Sequence, residues 1–151
     1  AATFPNPAEA AEMLALNGAD WRYNAYRVYV AQPGAPQDTP ARIEVSLHQF
    51  SSAGGAGYML PYFANGRAVT LDQHVQAAWL LGPCWQWVQG TGESTLYVRI
   101  DDLLTRVTVV APDDVTGYEV YALTTSTMYT VAAAILSNAG SSRQILDQTC
   151  Q

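Results

Sequence analysis

The chain has 151 residues, 49% of them apolar, with seven arginines, no lysine, 13 acidic residues and a formal net charge of −6. That suits one domain with one core. It argues against binding a nucleic-acid backbone, which needs a basic stripe, and against docking on anionic lipid.

No apolar run approaches the roughly 20 residues needed to span a bilayer as a helix. The chain opens at Ala1 with no basic or apolar leader, as a processed precursor does; a shortened chain looks the same.

In chain order, "PNPAEAAEMLALNG" predicts a helix. Asn6 is placed to cap it, Pro7 suits its first position, Glu9 sits where a capping-box acid belongs, and Asn17-Gly18 supplies the stop. Ala10, Met13 and Leu14 mark its apolar face. "WRYNAYRVYVAQ" then alternates as a strand, with Tyr26, Val28 and Val30 on one side and Arg27 and Tyr29 opposite. "PGAPQDTP" is a turn-rich loop. "ARIEVSLHQF" is a second strand, predicted to point Ile43, Val45 and Leu47 inward and Arg42, Glu44, Ser46 and His48 outward, so that the two form a long-looped hairpin.

"SSAGGAG" leads into a helix expected from Ser52 to Ala64. Ala56, Met59, Leu60 and Phe63 recur at helical spacing. Pro61 removes a donor within it, and Asn65-Gly66 is the expected end. "RAVTLDQHVQAAWLLGP" reads as loop with one helical turn. "CWQWVQG" is a short strand. "STLYVRI" and "LLTRVTVV" flank Asp101-Asp102, a tight hairpin turn. "APDDVTG" is a loop, and "YEVYALTT" alternates like a strand but also suits a helix opening. "TSTMYTVAAAILSNAG" is a final helix stopped by Gly140. The sequence therefore predicts a single α+β domain over residues 1–151. Its five to six mainly antiparallel strands are covered by helices, in the order α-β-β-α-β-β-β-α.

Gly54, Gly55 and Gly57 match neither the dinucleotide nor the phosphate-loop spacing, and no lysine exists to reach a phosphate. The expected role is a serine cap followed by close packing on the sheet. Glu44, Ser46 and His48 share one strand face, but neighbours at that spacing lie about 7 Å apart. A nucleophile relay needs chained contacts near 3 Å, so a solvated face is the expectation. His74 lies in a polar stretch without a partner motif. Asp101-Asp102 and Asp113-Asp114 fall in turns, where Asp bonds its own backbone. No metal-ligand spacing occurs. No catalytic residue, metal or cofactor is expected.

Cys84 and Cys150 are either two unrelated thiols or one disulfide tying the polar tail to the middle of the chain. Closing so long a loop stabilises by roughly 4 kcal/mol on the chain-entropy model, and such bonds persist outside the cytoplasm. Trp79, Trp85, Trp87 and Tyr97 form a central aromatic group, and Trp21, Tyr23, Tyr26 and Tyr29 a second one on the first strand. Such residues serve as core, as an exposed association patch, or as a stacking platform for a ligand.

The element order and "VSLHQF…GYMLPYFANGRA…LYVRIDDLLTRVTVV…AAAIL" resemble small exported bacterial α/β-sandwich domains of the PsbP/Mog1 and LpqN-type lipoprotein families. The resemblance implies a non-enzymatic accessory or binding domain. The expectation is thus an exported binding domain for a protein partner or small ligand, with Trp79, Trp85, Trp87 and Tyr97 as candidate contacts. The alternatives are a self-associating structural subunit of a surface assembly, or a hydrolase using His48 or His74.

Overall fold

The computed structural model describes residues 7–70 and 84–138. Its elements are α1 (Pro7–Gly18), β1 (Trp21–Val30), β2 (Arg42–Phe50), α2 (Ala53–Thr70), β3 (Trp85–Gln89), β4 (Glu93–Ile100), β5 (Leu103–Val110) and α3 (Tyr118–Asn138). The five strands form one antiparallel sheet in the order β1-β2-β5-β4-β3. The β1–β2 and β4–β5 hairpins are both present. Between β4 and β5 the chain reverses over Asp101-Asp102, with Asp101 at φ 51°, the left-handed conformation that a two-residue hairpin turn requires at its first central position.

Helices cover both faces. On one, α3 lies over β4 and β5 and buries Trp85, Trp87, Leu96, Val98, Val107 and Val109 against Met128 and Ala132. On the other, α2 packs on the sheet, α1 packs on α2 and β1, and Leu16, Phe50, Met59, Leu60, Val88, Tyr97 and Leu104 are buried together. Alternate residues of β4 and β5 thus point into two separate cores. Two pairs of buried hydroxyls meet in these cores, while the buried Thr105 hydroxyl has no partner. Thr95 meets Thr108 at 2.8 Å across β4 and β5, and Ser94 meets Thr124 of α3 at 2.7 Å.

Three local expectations change, and one open reading is resolved. In α1 the packed face runs through Met13 and Leu16, whereas Leu14 is 72% exposed. Met13 and Leu16 are three apart, so one helical face carries both. The helix α2 does not end at Asn65-Gly66 but continues to Thr70. A glycine costs a helix about 1 kcal/mol, and the added turn carries Arg67 to an ion pair with Glu93 of β4. "YEVYALTT" is the first part of α3. Its buried residues Val120 and Thr124 lead to Met128 and Ala132 at a spacing of four, while the alternating Ala122 is exposed. Lastly, Ser46 and His48 do not face solvent, because α1 and α2 lie over their side of the sheet. Asn6, His74, Trp79, Gly140 and Cys150 lie outside the described residues.

The glycine-rich stretch behaves as a cap and a packing surface. Ser52 Oγ accepts from the Gly55 backbone N–H at 3.1 Å, satisfying a first-turn donor. A Cβ on Gly55 would lie 2.2 Å from the Ala19 carbonyl oxygen, whereas one on Gly54 would meet only Ser52 Oγ at 3.7 Å. Gly55→Ala should therefore destabilise the fold by about 1–3 kcal/mol, the range for overpacking. Gly54→Ala, in the exposed first turn of α2, should be neutral or stabilise by up to about 1 kcal/mol, because alanine is the better helix former. Urea unfolding of the two variants checks this, and equal stabilities would contradict the packing.

Candidate functional site

Where α1 and α2 bridge the sheet, they leave a cavity of about 240 Å³. Its floor is built by strand alternation: Ser46 and His48 of β2, Leu104 and Arg106 of β5, and Tyr97 of β4 point to this side. Asn24 and Tyr26 of β1 form one rim, and Glu12 of α1 and Phe63 of α2 form the roof. Ser46 is directly opposite Arg106, and His48 opposite Leu104, across β2 and β5. The sequence pattern "EVSLHQF" correctly places Glu44, Ser46 and His48 on one face. Nothing in it reveals that α1 and the helix that follows it, α2, cover that face.

The cavity wall is aromatic as well as polar. His48 sits 5.1 Å from the Phe63 ring, and Phe63 stacks on Tyr97 at 6.4 Å between centroids. Trp21 flanks His48 at 6.2 Å. Arg106 lies over the Tyr26 ring at 6.0 Å, within reach of a cation–π contact. The Glu44 carboxylate is shared, 3.2 Å from Arg42 and 4.0 Å from Arg106.

Several polar groups here are left unsatisfied. His48 Nδ1, Arg106 Nε and Trp21 Nε1 are sealed from solvent without a hydrogen-bond partner. Such groups are costly to leave unpaired. Burial, reinforced by the nearby Arg106 charge, lowers the His48 pKa to about 4. Burial also pushes Tyr97 up to about 12, with the Arg106 and Arg67 charges opposing it. At neutral pH the site therefore presents a neutral imidazole, a neutral phenol and a guanidinium cation.

Among the four aromatic candidates, Tyr97 lines this cavity. Trp85 and Trp87 do share one side, as their spacing predicts, but it is the opposite side. There they are buried beside Tyr129 and Tyr121 of α3. The tyrosines of β1 are exposed, Tyr23 at 59% and Tyr29 at 60%, whereas Trp21 is half-buried against the α2-side core. The two aspartate pairs sit at opposite ends of β5 and do not meet. No group of three or more His, Cys, Asp or Glu residues is arranged to hold a metal among the described residues. No helix among them is long and apolar enough to cross a membrane. Cys84 is buried and is not free.

Two other hollows are more open. One lies between α1 and the start of α2, beside Ala19, Gly55 and Tyr58; the other lies between the β1–β2 loop and α3, beside Asp38 and Glu119. Neither contains an arginine or histidine. Comparison with protein-family models, curated proteins and solved structures finds no match.

The His48 environment has a measurable consequence. The unfolded chain takes up this proton near pH 6.5 and the folded chain near 4. Between those values the unfolded state binds more protons. The stability contribution is therefore complete above pH 6.5 and is lost as pH falls toward 4, by about 3 kcal/mol over the interval. His48→Phe should lack that part of the pH dependence. Urea unfolding at pH 7 and pH 4.5 for both proteins checks it, and identical slopes would show that His48 titrates normally.

Proposed function

We propose that this is an exported, non-catalytic binding domain whose small ligand occupies the cavity between α1, α2 and the sheet. The supporting observation is the convergence of six elements on one cavity lined by a neutral imidazole, a serine hydroxyl, a phenol and a guanidinium. Ligand sites are commonly concave and largely apolar, with a few convergent polar groups. Binding is favoured over hydrolysis because the buried Nδ1 of His48 has no acidic residue or other partner to orient the imidazole as a base. An imidazole that protonates only near pH 4 is also a weak base for catalysis at neutral pH. Export rests on a proposed Cys84–Cys150 disulfide, which fits the burial of Cys84 in the α3-side core.

A second reading, a subunit of a larger assembly, is favoured by β1. This is a ten-residue edge strand with Tyr23, Tyr26, Val28, Tyr29 and Val30 all exposed, and unpaired edges of this kind invite strand addition.

One natively purified sample distinguishes these readings. It should contain no free thiol, scatter light as a monomer at all concentrations, and gain melting temperature with at least one compound of a broad small-molecule screen. A ligand at about 100 times its Kd adds roughly 2.7 kcal/mol. Asn24→Trp, at the exposed cavity rim, should abolish that gain without unfolding the protein. Two titratable thiols would remove the argument for export. Mass rising with concentration would favour assembly, and a gain that survives Asn24→Trp would place the ligand elsewhere.

A further inference from the structure

The cavity's chemistry also narrows its ligand, on the premise that it is a binding site. We propose that it takes a small aromatic monocarboxylate, with the carboxylate at Arg106 and the ring against Phe63 and Leu104. Arg106 is the one arginine among the described lining residues. A guanidinium matches a carboxylate through two parallel hydrogen bonds. Its partners within the protein are the neutral Tyr97 hydroxyl and Glu44, whose carboxylate lies 4.0 Å away and is nearer to Arg42 at 3.2 Å.

The neighbouring polar groups are neutral and fit an acceptor-rich head. Ser46 stands opposite Arg106 on the adjacent strand, and its hydroxyl both donates and accepts. His48 is uncharged at neutral pH, so Arg106 supplies the cation of the site. Glu12, on the roof, contributes a negative charge that disfavours a second anionic group on the ligand. One part of the wall offers a flat apolar surface: Phe63 stacks on Tyr97, and Leu104 lies beside them.

Size sets the scale. An apolar cavity near 150 Å³ takes a benzene, so the 240 Å³ here admits one ring with a short polar substituent. Benzoate, benzamide, benzylamine and acetate are therefore informative probes, because they separate charge from ring. Calorimetric titration should show benzoate binding at least about tenfold tighter than each of the other three, the factor expected when a charged hydrogen-bonded pair is lost. Arg106→Gln should remove that preference, with circular dichroism confirming the fold. The comparison on the unaltered protein stands even where that variant fails to fold. Benzamide or benzylamine binding as tightly as benzoate, or benzoate preference surviving Arg106→Gln, would overturn the assignment of an anionic ligand while leaving a binding domain intact. Acetate equal to benzoate would overturn the role of the ring. No binding by any of the four would overturn the ligand class, and the broad screen would then decide the binding reading by itself.

Discussion

Burying both faces of β4 and β5 at once is the constraint from which the remaining architecture follows. Leu96, Val98, Val107 and Val109 point one way; Tyr97 and Leu104 point the other, with Thr95 and Thr108 paired between strands. Exposing either set forfeits about 1.5–3 kcal/mol per large side chain, against a whole-domain stability of about 5–15 kcal/mol. Two helices on opposite faces are therefore obligatory. α3 supplies one through Met128 and Ala132, and α2 the other through Met59 and Leu60.

The requirement relaxes across the sheet. β2 lies beside β5, yet its face toward α1 and α2 carries Glu44, Ser46 and His48 in place of aliphatic residues. The helices cover these groups without packing tightly on them, and the cavity is the space that remains. β1, farther out, is exposed along nearly its whole length. The gradient from a doubly covered centre to a bare edge places a polar cavity one strand inside that edge. This is why the site combines a buried imidazole and serine with rim residues, Asn24 and Tyr26, that reach solvent.

Much of the fold is legible from sequence because period and punctuation agree with the tertiary outcome. The alternation of β4 and β5, the Asp101-Asp102 turn, the Ser52 cap and the helical spacing of Ala56, Met59, Leu60 and Phe63 all reappear in three dimensions. The misreadings and the one open reading share a cause. A local signal was weaker than packing at Gly66, where a helix runs through a stop. It was ambiguous in "YEVYALTT", where Val120 and Thr124 satisfy both a period of two and a period of four. For Glu44, Ser46 and His48 the pattern specifies a common face and nothing about what covers it. A polar strand face looks solvated unless its cover, here α1 and α2, is already known. The aromatic count likewise identifies a surplus without assigning Trp85 and Trp87 to one core and Tyr97 to the other.

Native-state hydrogen exchange by residue tests this gradient of cover most directly, since local opening scales with how few buried contacts hold an element. Amides of β4 and β5 should be the slowest in the molecule and exchange only through global unfolding. Those of β2 should follow, and those of β1 should exchange faster by orders of magnitude. Protection of β1 equal to that of β4 would mean that the edge strand is covered, and would contradict the account of both the sheet and the cavity beside it.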